Sequence, residues 1–434
     1  MDSGRIQAVK LLGKTFSKGA YSNILLDRAL KETNMNEQER SFCAALYYGV
    51  LERKITLDYI ISRYSKQKIT KTNPVILNIL RVGIYQIKFM DNIPDSAAVN
   101  ESIKIAKKLN LSKLSGFVNA VMRNFIRDDK KIEYPEDKIP KISIEYSVPE
   151  WLAKMLCKNY TDSQMKSLLE GSIEKPPVTV RINNLKGTQE QILSAIKEFE
   201  PQCTVAEGCF KINSGDAVKS KSFKNGFFHV QDIASQLCCM ALDPKPDEII
   251  LDLCSAPGGK AFTMAELSND KAKIYAFDIH EHRVRLIEEG ASRLGIKSIK
   301  ADIGNAFNYN EKMQKADKIL CDVPCSGLGV IRRKPEIKYK KYEDFEKLPS
   351  IQYSILENAA KYLKIGGELI YSTCTVNPKE NSEVIDKFLR EHNNFKGVSF
   401  LEKMGKPFGE YKVTLFPENF NSDGFFISKI RRTK

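Results

Sequence analysis

The first 127 residues carry their apolar side chains at helical spacing. One stripe follows Asn73-Pro74 and a second lies near the end of the region, with apolar residues three or four positions apart, as on one face of an α-helix. These stripes consist of Ile76, Ile79, Leu80, Gly83, Ile84 and Ile87, and of Phe117, Val118, Val121, Met122, Phe125 and Ile126. Lysines and arginines accompany both stripes. The pattern predicts an all-α helical bundle over residues 1–127 with a cationic outer face.

The pattern changes twice after this bundle. Residues 128–149 are charged, contain prolines and show no clear period, which predicts a linker. Residues 150–234 combine a helical segment around Trp151 with short β-like runs, such as residues 178–181 and 227–230. They predict a small α+β module.

Short apolar runs alternate with helical segments over residues 235–434. The runs of strand length are 248–254, 273–279, 299–303, 316–324 and 367–374. Such alternation predicts a parallel, doubly wound α/β sheet of the Rossmann-like class. Two further runs, 413–416 and 424–430, predict an antiparallel hairpin at the edge of this sheet.

The net charge favours a polyanionic partner. The chain carries +14, and residues 1–150 alone hold 25 Lys and Arg against 17 Asp and Glu, a net +8. An excess of this kind is typical of nucleic-acid binding, although a Lys-rich surface without a partner has the same composition. No apolar run reaches the roughly 18 residues of a membrane helix, and MDSGRIQAVK is not a signal peptide. We therefore expect a cytoplasmic protein without a membrane partner, and a monomer.

The cysteines fit neither a metal site nor a disulfide framework. There are ten cysteines and four histidines, and no two cysteines form a CxxC pair. Zinc sites and secreted disulfide-rich domains both need closer, regular spacing. We expect reduced thiols and no metal.

A glycine-rich loop after the first predicted strand of the sheet is the candidate cofactor site. In Cys254-Ser-Ala-Pro-Gly-Gly-Lys260, adjacent glycines allow close approach of a ligand, and the next helix offers free N–H groups. Three acids, Asp278, Asp302 and Asp322, end the next three strands. Ligands of such sheets bind at the carboxyl ends of the strands, and a carboxylate there can bind ribose hydroxyls. The loop alone is equally consistent with a plain strand–helix turn, but the four strand ends together favour a nucleoside-containing cofactor.

Two cysteines are predicted at the same edge. Cys325 follows the fourth strand in DVPCSG, and Cys374 ends the fifth in STCT. Two thiols beside a methyl donor could act on a pyrimidine ring. A thiolate that adds to C6 of a cytosine makes C5 nucleophilic enough to accept a methyl group, and a base must then remove the C5 proton. Chemistry alone leaves open which cysteine attacks, and a buried structural role is the alternative for either one.

Several motifs resemble those of the RNA 5-methylcytosine methyltransferases. They are CSAPGGK (254–260), FDIHEHRV (277–284), CDVPCSGLGVIRRKPEIK (321–338), YSTCTVNPKENSEVI (371–385) and TLFPENFNSDGFFISKI (414–430). The segments AALYYGVLERKITLDYII (44–61), ILRVGIYQIKFMDNIP (79–94), AAVNESIKIAK (97–107) and GFVNAVMRNFI (116–126) resemble the helical domain of the antitermination factor NusB. In this order, the chain is similar to the bacterial members of the family that act on 16S rRNA. The resemblance leaves residues 128–234 least defined.

The resemblance implies a role for each site residue. It makes Cys374 the nucleophile and Cys325 the group that assists proton removal and product release, whereas the DNA enzymes use the Pro-Cys thiol for attack. It places S-adenosylmethionine against the loop, with Asp278 at the ribose, Asp302 near the adenine and Asp322 near the methionine end and the target base. The implied loop residues are Cys254, Ser255, Ala256, Pro257, Gly258, Gly259 and Lys260, with Ser255 where the family usually has Ala.

Three other functions stay open on the sequence. They are 5-methylcytosine formation in tRNA or 23S rRNA, a non-catalytic NusB-like RNA-binding regulator, and methylation of a small metabolite. The two cysteines and Asp278 argue against the regulator, and the basic helical region argues against the metabolite. A basic run after the Pro-Cys loop is expected to contact RNA phosphates, with a solvated surface run as the alternative. It comprises Arg332, Arg333, Lys334, Lys338, Lys340 and Lys341.

Overall fold

A computed structural model describes residues 4–18, 22–213 and 216–434. The chain forms two compact units. The helical unit comprises residues 1–175 together with Ile331–Lys340, and the sheet unit comprises Pro176–Val330 and Lys341–Lys434. The expected order of fold classes, a helical bundle, a small α+β module and a Rossmann-like α/β domain, is confirmed. The expected domain boundaries stay predictions.

Nine α-helices of the helical unit are described. They are α1 (Gly4–Lys18), α2 (Ser22–Lys31), α3 (Glu37–Tyr64), α4 (Pro74–Phe89), α5 (Asp95–Lys108), α6 (Ser115–Arg127), α7 (Lys138–Glu145), α8 (Glu150–Asn159) and α9 (Asp162–Gly171). The side chain of Asn73 accepts from the backbone N–H groups of Val75 and Ile76, which starts α4 with proline in its first turn. Both predicted apolar stripes contribute to one core, in which Phe117 and Ile126 are only partly buried. Within the described ranges, no helix combines the length and apolar character needed to cross a bilayer.

The segment Ile331–Lys340 is buried in the helical unit, although it directly follows the Pro-Cys loop in sequence. Lys338 is 1% exposed, and its ammonium group donates to the backbone oxygens of Glu52 at 3.2 Å and Tyr146 at 3.5 Å. Burial lowers the pKa of Lys338 to about 7. The Tyr339 hydroxyl donates to the backbone oxygen of Leu51 in α3.

The expectation that the whole basic run contacts phosphates is therefore wrong in part. Arg332 is only 5% exposed, and Lys338 is buried. Lys338 donates to backbone oxygens of the helical unit, whereas Lys334, Lys340 and Lys341 are exposed. A run of charges in the sequence does not reveal that two of its members are buried by the fold.

The sheet unit begins with a four-stranded antiparallel sheet, in the order β2-β3-β1-β4. Its strands are β1 (Val178–Ile182), β2 (Gln202–Cys203), β3 (Cys209–Ile212) and β4 (Phe228–Val230). The helices α10 (Gln189–Ala195) and α11 (Lys221–Lys224) belong to the same stretch of chain, and α12 (Ile233–Leu242) follows β4. Arg181 of β1 forms a buried ion pair with Glu266, which anchors this module to the rest of the unit.

The second sheet has eight strands, of which five are parallel. The strands are β5 (Ile249–Asp252), β6 (Lys273–Asp278), β7 (Ile299–Ile303), β8 (Ala316–Asp322), β9 (Leu363–Thr373), β10 (Phe395–Gly397), β11 (Lys412–Leu415) and β12 (Phe425–Arg432). The helices are α13 (Gly259–Leu267), α14 (Glu281–Leu294), α15 (Leu348–Tyr362) and α16 (Ser382–Glu391). The strand order is β10-β12-β9-β8-β5-β6-β7, and β11 pairs with β12 in the expected antiparallel hairpin.

The order of the parallel strands reverses between β5 and β8. The chain proceeds outward from β5 through β6 to β7, then returns to the other side of β5 to form β8 and β9. The carboxyl ends of β5 and β8 therefore lie side by side, which is where sheets of this class bind ligands.

Replacement of Tyr339 by alanine should loosen the helical unit. The substitution removes the hydroxyl bond to Leu51 and the edge contact of its ring with Phe16, whose centroid is 6.0 Å away. Hydrogen exchange followed by mass spectrometry should show faster exchange in peptides from α3. Tyr342→Ala, three positions on but in the sheet unit, should leave α3 unchanged. Faster exchange confined to the parallel sheet would contradict the assignment of this segment.

Candidate functional site at the carboxyl edge of the sheet

The loop from Cys254 to Lys260 is held in a shape that only glycine allows at one position. Gly258 has a φ of +102°, and a Cβ atom there would lie 2.5 Å from the ring of Phe262. That ring is buried, and it also fills the space beside Gly290. α13 begins at the next residue, so its free N–H groups lie at the loop.

The carboxylate at the end of β5, where the glycine-rich loop begins, is buried, and no role was predicted for it from the sequence. Asp252 is 0% exposed, and neither of its side-chain oxygens accepts a hydrogen bond from the described residues. Burial raises the pKa of Asp252 to about 7. The position of Asp252 at a strand end is the same signal that identified the other three acids.

Lys260 and Asp322 join the loops that follow β5 and β8. The ammonium of Lys260 lies 2.7 Å from Oδ2 of Asp322, and the hydroxyl of Ser372 in β9 donates to Oδ1 at 2.8 Å. Burial alone would lower the pKa of Lys260, but the adjacent carboxylate of Asp322 raises it above its usual range. Lys260 therefore stays charged.

Asp278 lies at the end of β6, where it is almost fully buried. Arg283 lies 3.0 Å from its Oδ2, and the backbone N–H of His280 donates to Oδ1 at 3.2 Å. Arg283 also donates to the backbone oxygen of Ala256 at 2.7 Å. One guanidinium therefore connects Asp278 to the glycine-rich loop.

Asp302 lies apart from these residues, exposed at the end of β7. It borders a cavity whose other lining residues include Leu253, Phe277, Met313, Asn358, Tyr309 and Tyr362. The rings of Tyr309 and Tyr362 stack with centroids 4.9 Å apart. The lining of this cavity thus combines apolar and aromatic side chains with asparagines and one carboxylate.

The remaining predicted loop residues have varied surroundings. Ser255 is buried, its N–H donates to the backbone oxygen of Phe277 at 2.8 Å, and its hydroxyl has no partner among the described residues. Cys254 is partly exposed, and burial of its thiol raises its pKa. Pro257 follows Ala256 through a cis peptide bond.

The two predicted cysteines lie together. The sulfur atoms of Cys325 and Cys374 are 3.1 Å apart, and both side chains are partly exposed. A hydrogen bond with Cys374 and burial both raise the pKa of the Cys325 thiol well above its usual range. Asp322 is three residues before Cys325, and its partner Ser372 is two residues before Cys374. The ion pair and the thiol pair therefore share the loop that follows β8, and the bond from Ser372 connects the ion pair to the strand that leads to Cys374.

Three family profiles match successive parts of the chain. Residues 2–127 match the NusB family, residues 148–214 match an RsmF/B-like ferredoxin-like domain, and residues 239–431 match the 16S rRNA methyltransferases RsmB/F. The probable ribosomal RNA small subunit methyltransferase B of Bacillus subtilis is 38% identical over 437 residues, which cover 98% of each chain. This chain belongs to the ribosomal RNA small subunit methyltransferase B family. Its relative from Synechocystis is 32% identical over the full length of both chains.

Solved structures agree with the fold of this methyltransferase family. The crystal structure of PH0851 superposes with a TM-score of 0.81 at 24% identity and covers 99% of this chain and 98% of that one. A methyltransferase homolog from Pyrococcus horikoshii has a TM-score of 0.57 at 27% identity, covering 67% of this chain and 97% of its own.

Alanine at Gly258 should destabilise the family's loop more than alanine at a glycine in open space. Gly366 has a φ of +82° with no atom within 4 Å of a built Cβ, so Gly366→Ala measures the backbone cost alone. We expect the free energy of unfolding to fall by about 1 kcal/mol for Gly366→Ala. For Gly258→Ala, which also displaces Phe262, we expect it to fall by roughly 2–4 kcal/mol. Urea unfolding of both variants measures the difference. Equal losses of unfolding free energy in the two variants would mean that the Phe262 ring does not prevent a Cβ atom at position 258.

Proposed function

We propose that this chain uses S-adenosylmethionine to methylate C5 of a cytosine in 16S rRNA, through a transient bond between Cys374 and C6 of the ring. The observation that carries the proposal is the pair of sulfur atoms 3.1 Å apart, beside the glycine-rich loop and its ion pair. A single nucleophile would need only one thiol. Attack followed by release explains why two thiols share one site. Membership of the family supports ribosomal RNA as the substrate.

The loop residues and the strand-end acids fit the donor. The ammonium of its methionine part would supply the donors that Asp252 lacks, and the free N–H groups at α13 suit its carboxylate. Asp278 would accept from the ribose, and the cavity beside Asp302 would receive the adenine. When bound, S-adenosylmethionine supplies an electrophilic methyl group.

The residues of the chain would perform the remaining steps on the base. The Cys374 sulfur bonds to C6 while the Lys260–Asp322 pair binds the N3 edge of the ring, with Lys260 as the charged donor that offsets the electron density moved onto N3. C5 then takes the methyl group. Removal of the C5 proton re-forms the C5–C6 double bond, and Cys374 leaves with the electrons of the S–C6 bond.

The direction of the pKa shift supports this division of roles. The shifted pKa keeps the proton on Cys325, so its thiol can donate to the sulfur of Cys374. This hydrogen bond stabilises a Cys374 thiolate. Once Cys374 is bonded to C6, its charge is gone, and Cys325 loses part of the interaction that raised its pKa. Cys325, which is partly exposed, can then lose its own proton to water and accept that of C5.

The other parts of the proposal concern the RNA. The NusB-like helical region and the net charge of +8 in residues 1–150 would bind phosphates, so binding should weaken with added salt. The target base must be unstacked to reach the thiols. We also propose that the protein is a monomer and acts in the cytoplasm. Methylation of tRNA or 23S rRNA remains the alternative, and mapping the modified base distinguishes it.

Cys374→Ala should abolish methyl transfer from labelled S-adenosylmethionine to unmodified 16S rRNA, because no bond to C6 forms. Cys325→Ala should instead accumulate a covalent protein–RNA adduct, visible on a denaturing gel, because release is impaired. Cys203→Ala removes an exposed thiol outside the site and should leave activity unchanged. An adduct trapped by Cys374→Ala would reverse the two roles.

Affinity for S-adenosylhomocysteine should rise with pH as Asp252 ionises. Since burial raises its pKa to about 7, the neutral acid dominates at lower pH, and only the carboxylate attracts an ammonium. Calorimetry between about pH 5.5 and about pH 7 should show that binding becomes up to about tenfold tighter for each unit by which the pH rises. Asp252→Asn should remove this dependence. An unchanged slope in that variant would assign the titration to another group.

A further inference from the structure

A buried carboxylate holds the residue that follows Cys325. Glu380 is 0% exposed, and its Oε2 accepts from the backbone N–H of Ser326 at 2.8 Å and from Nε2 of Gln352 at 2.9 Å. Its Oε1 accepts from Nδ2 of Asn377 at 3.0 Å. Three neutral donors therefore share one buried charge, which makes each bond stronger than one between neutral groups.

The same network holds the residue that precedes Cys325. Nε2 of Gln352 donates at 2.9 Å both to Glu380 and to the backbone oxygen of Pro324. The backbone on either side of Cys325 is thus fixed, through Pro324 by Gln352 and through Ser326 by Glu380.

The next residue, Asn381, does the same for Cys374. The hydroxyl of Thr373 donates to Oδ1 of Asn381 at 2.6 Å, and Nδ2 of Asn381 donates to the backbone oxygen of Thr375 at 2.9 Å. Asn381 is 1% exposed. Its amide is therefore bonded to both neighbours of the second cysteine.

A direct bond completes the arrangement. The hydroxyls of Ser326 and Thr375, each one residue after a cysteine, are 2.7 Å apart. The two thiol loops are thus joined directly by the residues that follow the two cysteines. None of these bonds uses the thiols themselves, so their effect is on the backbone that carries the two sulfur atoms.

We propose that Glu380 and Asn381 are positioning residues for the two thiols, with Glu380 setting the place of Cys325 and Asn381 that of Cys374. The assignment of separate steps to the two residues rests on the proposed function. A displacement of about 1 Å between reacting groups lowers rates about a hundredfold, so each residue controls the step that its cysteine performs.

The two residues should have different effects on catalysis. Glu380→Gln removes the charge but keeps the shape, so release by Cys325 should slow by about tenfold or more and adduct should accumulate. Asn381→Asp keeps the oxygen that accepts from Thr373 and loses the donor to Thr375. Adduct formation should slow by a similar factor, without accumulation. Single-turnover reactions with a 16S rRNA fragment measure both rates.

A second measurement works without any methyl transfer. Diamide takes two electrons and two protons from a pair of thiols that lie in contact and leaves a disulfide. Peptide mass spectrometry should show that the Cys325–Cys374 disulfide forms about tenfold more slowly in both variants than in the unaltered protein. Glu266→Gln alters another buried carboxylate of the sheet unit, which accepts from Asn184 at 3.1 Å and pairs with Arg181. It should not change this rate.

The two measurements separate the proposals. If the unaltered protein forms no methylated RNA but the variants slow disulfide formation, the proposed function fails and the positioning role stands. If methylation occurs and both variants keep unaltered rates in both assays, the positioning role is wrong. If the two variants lose S-adenosylhomocysteine binding as well as rapid disulfide formation, the positioning role is also overturned, because the joint loss would indicate general unfolding.

Discussion

The reversal of strand order between β5 and β8 is the constraint on which the site depends. It brings two loops together that are about sixty residues apart in sequence, and the ion pair of Lys260 and Asp322 joins them at 2.7 Å. With side chains only 14% and 29% exposed, loss of either partner would leave a charge without compensation, at a cost of roughly 3–5 kcal/mol. Because Asp322 also accepts from Ser372, the pair fixes the end of β9 too.

The site concentrates groups that cost stability. Asp252 and Glu380 are carboxylates with no exposed surface, and burial of an ionised group is expensive unless donors replace water. Glu380 has three such donors within the protein, whereas Asp252 has none among the described residues. Glu380 is therefore compensated by the fold itself, and the proposed donor molecule would compensate Asp252.

The sequence predicts the parts of the site that follow strand ends. Cys325, Cys374 and Asp322 could be placed together because carboxyl ends of parallel strands share an edge, and the structure brings them there. Lys338 could not be recognised as buried, since its partners Glu52 and Tyr146 are 286 and 192 residues away in sequence. Glu380 and Asn381 belong to the motif at 371–385, but Glu380 accepts from a backbone N–H of another loop and Asn381 donates to a backbone oxygen of its own loop, and backbone groups leave no trace in a sequence.

The insertion of Ile331–Lys340 into the helical unit has a consequence for synthesis on the ribosome. The helical unit cannot be completed until a stretch supplied about 155 residues after Lys175 has been translated. At the usual pace of elongation this delay is roughly 8–30 s. During that interval the backbone oxygens of Glu52 and Leu51 lack their partners, so the nascent N-terminal half is a candidate for chaperone protection. A gene fragment that stops at Lys175 would never leave this incomplete state.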